Sequence, residues 1–218
     1  MRLSAAEHKA VSEAVAAAEV ETDGEIVTMI APVSDAYRDV PPQYGLLAAL
    51  LVPALVAIDP AFLPFTSDGW AAPDERLVLL GVMVLQVIAF LTVRYALARQ
   101  SWRLWLTPKA TKRRRVRARA IELFRVAAER RTAKRVGVLL YLSMGERMAE
   151  IVADAAIHPK VPPERWGDAM AALISEVHDG RTGAGMAAAV GAIGAIIAEH
   201  FPKTDTDTNE LPDRLIEL

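Results

Sequence analysis

The sequence contains no cysteine. Disulfides, thiolate nucleophiles and cysteine-ligated zinc or iron–sulfur centres are therefore excluded, and the composition fits a reducing compartment. Histidine is scarce: His8, His158, His178 and His200 are far apart and show no H-x-x-x-H ligand spacing. No serine lies in G-x-S-x-G, so the nucleophile elbow of an α/β-hydrolase is missing. The start, Met1-Arg2-Leu3-Ser4, leads into a polar helix and not into an apolar signal-peptide core. Any membrane insertion is then expected to rest on internal segments. What the chain has in excess is hydrophobicity: 53% of its 218 residues are hydrophobic and 24% are charged. That pairing is unusual for one soluble domain and points to apolar runs kept apart from charged ones.

Two apolar runs stand out. Tyr44 to Phe65 is broken by Pro53, Asp59, Pro60 and Pro64; Leu77 to Leu97 is apolar as far as Arg94 apart from Gln86 and Thr92. A membrane span needs about 20 predominantly apolar residues. The second run meets this, and the first meets it if Asp59 lies near the far interface. A pair of buried core helices is the plain alternative, but Leu77–Val93 has almost no polar face. A re-entrant first segment is the stronger rival. The short polar loop from Thr66 to Arg76 would join the two.

The net charge of −2 hides an asymmetry. Ten bases from Arg94 to Arg119 precede the first acid, Glu122, whereas the loop between the runs holds Arg76 alone. The positive-inside rule places Arg94 onward in the cytoplasm, and two spans return the chain to its starting side, so both termini are expected there. The expected lipid-contacting set is Arg99, Trp102, Arg103, Trp105, Lys109, Lys112, Arg113, Arg114 and Arg115. Clustered bases also suit nucleic acid. Beside a span, anionic lipid is the simpler partner, each base contributing on the order of 1 kcal/mol near such a surface. No nucleic-acid partner is expected; another membrane protein is a further candidate partner. The blandest account is that these charges only set topology.

Around the apolar runs the chain reads as α/β. Ser4-Ala5-Ala6-Glu7 is a capping box opening a helix over Ala5–Ala18. Glu25–Ala31 is rich in β-branched residues and nearly continuous in hydrophobicity, as in a strand buried on both faces. Thr107-Pro108 opens a basic helix to about Arg131, with Val116, Ala120, Leu123, Phe124 and Ala127 on one face. Arg135–Ser143 is a second strand, and Met148–Val152 a third, antiparallel to it. Pro162-Pro163 opens a helix to His178. Thr182 to His200 is a last helix, short for a span in its apolar centre, expected to lie on the sheet. The remainder reads as a polar tail. The first strand should lie parallel to the second, with the basic helix as a right-handed crossover. The expected division is 1–40, first part of an α/β domain; 41–98, transmembrane hairpin; 99–202, basic segment and second part of the domain; 203–218, tail. The fold class is α/β: a small mixed sheet with helices on both faces, interrupted by a two-helix transmembrane hairpin.

The ordered set comprises the Gly137-Val138-Leu139-Leu140-Tyr141 strand, the Glu146-Arg147 turn, Ala153-Asp154-Ala155-Ala156-Ile157, the Trp166 helix and a Gly-rich helix ending in Phe201-Pro202. It resembles the TPM domain, above all bacterial membrane members with a hairpin inside the domain, whose tails are similar to Asn209-Glu210-Leu211-Pro212-Asp213. The resemblance implies an α/β/α sandwich and a multi-pass protein of the bacterial inner membrane. Phosphatase activity and calcium binding have been proposed for some members, and no universal catalytic set carries over.

Candidate ligand residues are Ser34, Asp35, Glu146, Arg147 and Asp154, all in loops at expected strand ends, where open α/β sheets place ligand groups. Each has a structural reading beside the functional one. Glu146 and Arg147 suit an ion pair fixing a turn, and Ser34-Asp35 suits an ordinary loop with an Asx-type turn. A metal at Asp154 and Glu146 would need several hard oxygens to converge, and Ca2+ or Mg2+ is the class to expect. Gly180-Arg181-Thr182-Gly183-Ala184-Gly185 precedes a helix as a phosphate loop does. It lacks a strand before it and a Lys-Ser or Lys-Thr after it, so close helix packing is the better reading. Asp205–Asn209 starts like a calcium loop, but Glu210 stands where glycine is required and Ile216 where glutamate is. Two function classes follow: an accessory, binding or assembly factor with its domain at the cytoplasmic face, or a metal-dependent phosphatase using Asp154, Glu146 and Asp35.

Overall fold

A computed structural model describes residues 3–59, 62, 74–127, 136–204 and 214–218. The polar loop between the apolar runs, the end of the basic helix beyond Ala127 and the Asp205–Asp213 stretch lie outside the described residues. The chain forms two compact units, Met1–Asp35 with Lys112–Leu218, and Ala36–Thr111.

The first unit is built on a four-stranded sheet. The strands are β1 (Glu25–Ala31), β2 (Gly137–Ser143), β3 (Met148–Ala153) and β4 (Ile216–Glu217), in the order β3-β2-β1-β4. β1 lies parallel to β2, from Glu25 opposite Gly137 to Ala31 opposite Ser143, and β2 pairs antiparallel with β3. Both central strands are buried along their whole length, because each face is covered. Side chains alternate across a strand. Ile26, Ile30, Val138, Leu140 and Leu142 accordingly join the core under α1 (Ala5–Glu19), α6 (Trp166–His178) and α7 (Thr182–His200). Val27, Met29, Leu139 and Tyr141 meet Val116, Ala120 and Phe124 of α5 (Lys109–Ala127). The basic helix thus covers one face with the apolar stripe read from its sequence.

α1 and α7 run parallel and very close. A Cβ at Gly183 would stand 2.5 Å from Glu7 Cβ, and one at Gly194 would stand 2.5 Å from Ala18 Cβ. The same offset separates both pairs, so the glycines mark one line of contact. Glu7 completes the capping box with Ser4 and also accepts from the Gly183 amide at 3.3 Å. The Gly180–Gly185 segment therefore serves packing.

β4 was not legible in the sequence, which read there as tail. Met29 faces Ile216 and Ile30 faces Glu217 in a parallel pairing, and Leu215 is buried. Glu217 accepts from the Leu3 amide at 3.0 Å and bonds His8 at 2.9 Å. The edge of β1 is closed by the chain's last residues.

The second unit holds α2 (Val40–Ile58), α3 (Glu75–Ala96) and the short α4 (Gln100–Leu106). α2 begins four residues before the apolar run because Pro41 and Pro42 fit its first turn, and it stops before Asp59-Pro60. The Gln86 amide donates to Ala49 O at 3.2 Å, and Phe90 closes on Gly45. As one number rises the other falls, so α2 and α3 are antiparallel. Among the described residues, three helices are long and apolar enough to cross a membrane: α2, α3 and α7. They differ in burial. Over their apolar windows α2 is 17% and α3 6% buried, whereas α7 is 56% buried and faces the sheet.

Candidate functional site

β1 and β2 are parallel, so they end together, and the loops that follow them meet there. Met144 N–H donates to Ala31 O at 3.0 Å and Gly145 N–H to Pro32 O at 2.8 Å, carrying the ladder past the strands. This lays the Met144–Arg147 turn alongside Ser34. Glu146 is buried and engaged on both oxygens: Oε1 accepts from the Ser34 amide at 2.9 Å, and Oε2 accepts from the Ser143 hydroxyl. Ser34 Oγ stands 3.0 Å from the Tyr141 hydroxyl. Burial raises the Tyr141 pKa above its ordinary value, opposed by the Ser34 hydrogen bond and reinforced by the Glu146 charge. The phenol is neutral at physiological pH, a partner for Ser34 and no base. Asp35 pairs with Arg115 of α5 at 2.7 Å. Arg147 adopts a left-handed backbone (φ 54°) and is exposed. It lines a cleft of about 500 Å3 with Leu142, Met148, Leu173, Ile174 and Val177, an apolar floor with a cation at its rim.

Ser34, Glu146 and the neighbouring Asp35 therefore share one end of the sheet, with Arg147 in the same turn. Asp154 does not join them. It follows β3 at the other end of β2, about 20 Å away at 3.3 Å per residue. There its amide donates to Gly137 O at 2.9 Å, and its Oδ2 accepts from Gly137 N–H at 3.3 Å. Asp154 thus fixes the junction between β3 and the start of β2. Divalent calcium takes six to eight oxygens. Glu146 is committed to N–H and O–H donors, Asp35 to a guanidinium, and Asp154 is remote. These side chains do not form a set that fits Ca2+ or Mg2+, and among the described residues no three His, Asp or Glu side chains converge.

Sequence reading missed Ser143 and Tyr141. A serine closing an apolar strand three residues before a glutamate was the available signal for the first; nothing in the apolar strand distinguished Tyr141. Of the bases expected at lipid, Arg115 and Arg103 have internal partners that bear on the site. Arg115 holds Asp35, and Arg103 donates to Leu97 O at 2.8 Å, Ala98 O at 2.7 Å and Ala36 O at 3.1 Å. Trp102 and Trp105 are 53% and 77% exposed.

The model of the TPM domain family matches residues 101–196. That stretch is similar to the TPM domain. The matched stretch takes in β2, β3, α5, α6 and most of α7. It omits α1 and β1, although β1 is a central strand of the sheet, so the unit holding most of the matched stretch is completed by residues from before the α2–α3 hairpin. The NMR structure of BA42 from the psychrophilic bacterium Bizionia argentinensis is similar to this chain. It has a TM-score of 0.58 and 17% identity over 100% of this chain and 97% of that one, a likeness of fold. No curated protein matches the sequence.

Proposed function

We propose that this is an integral protein of a bacterial inner membrane in which α2 and α3 cross the bilayer. Its TPM domain and both termini lie on the cytoplasmic side, where the domain acts as a binding or assembly module. One observation carries the membrane reading: α2 and α3 turn leucine after leucine to the outside. Leu46, Leu50, Leu79 and Met83 are 56%, 58%, 64% and 61% exposed, far more contiguous apolar surface than a soluble protein leaves open. At 1.5 Å per residue the two helices are about 28 and 33 Å long, against a hydrocarbon core of about 30 Å. The bases from Arg94 to Arg119 supply the orientation, and exposed Trp102 and Trp105 suit the interface.

The binding role is favoured over hydrolysis because the carboxylates at the sheet are held by internal donors, and the cleft beside Arg147 offers apolar surface with an exposed cation at its rim. A phosphatase built on Asp154, Glu146 and Asp35 would need them in one site, and the register of β2 with β3 separates Asp154 from the others. Alkaline carbonate should leave the protein in the membrane pellet, and a reporter fused after Leu218 should be active in the cytoplasm only. Release by carbonate, or activity only in the periplasm, contradicts the topology. Turnover of a generic phosphate ester that Asp154→Asn abolishes would replace the binding role by the enzymatic one.

A further inference from the structure

The basic end of the α2–α3 hairpin holds a cavity that the cluster at the sheet does not use. It measures about 350 Å3 and lies beside the first turn of α2 and the last turn of α3. Arg38, Arg94 and Arg103 stand around it, with Pro41, Pro42 and Tyr95 in its walls, and among the described residues no Asp or Glu lines it. Arg103 is taken up by the three carbonyls named above, so it secures the end of α3 and the segment before α2. The side chains of Arg38 and Arg94 make no hydrogen bond or ion pair among the described residues.

Two unneutralised guanidinium groups at one cavity repel each other, and an anion between them relieves this. The first turn of α2 adds no backbone donors at Pro41 and Pro42, since proline has no N–H. Recognition therefore falls to planar forked guanidinium groups, which suit a bidentate oxyanion such as phosphate. The surroundings are amphiphilic. Tyr95, 71% exposed, is the polar-tipped aromatic of a membrane boundary, and one to two turns further in Leu91 and Leu46 are 41% and 56% exposed. A ligand seated here meets cationic groups at one end and an apolar helical surface along its length.

We infer that this cavity binds the phosphate of an anionic phospholipid, with Arg38 and Arg94 as its ligands and the acyl chains lying along α2 and α3. The inference rests on the membrane-spanning reading of those helices. Basic pockets between spans on the cytoplasmic side are suited to lipid headgroups.

The test uses the full chain purified in detergent, with lipid retention read by native mass spectrometry. Wild type should keep phosphatidylglycerol in preference to phosphatidylcholine. Arg38→Gln with Arg94→Gln should lower that retention at least about tenfold, given on the order of 1 kcal/mol per base. Arg76→Gln, at the far end of α3, should not change it. The double variant should keep the wild-type melting temperature and its resistance to carbonate, which separates loss of the site from loss of the fold. Equal retention by wild type and double variant overturns the inference, as does equal retention of the two lipids. Displacement of the lipid by equimolar inorganic phosphate would make this a site for a soluble anion and overturn the lipid assignment. Release of wild type by carbonate would show that the spanning reading itself has failed.

Discussion

At the scale of single residues, Glu146 joins what β1 and β2 leave behind. It accepts from one donor after β1 and from another at the end of β2, and without it the buried junction loses both bonds. Glu146→Ala should destabilise the sheet unit by about 2–4 kcal/mol, read as a fall in melting temperature of the detergent-purified protein. An unchanged melt would mean that water replaces the carboxylate. Glu150 makes an opposite contribution. It lies opposite Tyr141 on β3 with a side chain 14% exposed, and burial raises its pKa above the ordinary 4.5, opposed by Arg117 at 3.6 Å and by the charge of Arg113. The folded chain therefore holds this proton to higher pH than the unfolded chain. Stability from this group is complete below the unfolded value and is lost as pH rises through the folded one. Glu150→Gln should raise the melting temperature at about pH 7 and change it little near pH 4. A lowered melting temperature at neutral pH would show that Arg117 outweighs burial.

Among the elements, α7 shows how composition misleads and context decides. By length and apolarity it qualifies as a span, yet its glycines sit where α1 needs room. Gly194→Val should force α1 and α7 apart and cost about 2 kcal/mol or more, in the range of overpacked cores. Gly191, with nothing within 4 Å of a Cβ, is the control. Gly191→Ala should be neutral or stabilise by up to about 1 kcal/mol, because alanine is the better helix former. Equal melts for the two variants would contradict the close approach. β4 illustrates a different limit. Two residues carry no periodicity, so only their pairing with Met29 and Ile30 makes them a strand.

At the scale of the whole molecule, the chain leaves the sheet unit after Asp35 and rejoins it at Lys112, and the Asp35–Arg115 ion pair holds these points together. Among the described residues, the two apolar clusters of that unit contain no side chain from Ala36–Thr111. Replacing residues 36–111 by a short Gly-Ser linker should therefore give a protein that is soluble without detergent and melts cooperatively. Aggregation, or a melt without cooperativity, would show that the inserted segment is part of the fold.

The sequence alone determined the elements whose signal is local and repeated: the capping box at Ser4, the doubly buried β1, the strand β2, the stripe on α5, and the two long apolar runs beside a basic flank. It also implied the parallel pairing of β1 and β2, because a helical crossover between two apolar strands has few other solutions. Tertiary structure decided what depends on register. Which carboxylates share an end of the sheet follows from strand lengths and directions, and so Asp154, close to Glu146 in sequence, ends at the opposite end of β2. The cavity at Arg38 and Arg94 likewise joins residues more than fifty positions apart, brought together by two antiparallel helices that individually carry no record of where the other begins.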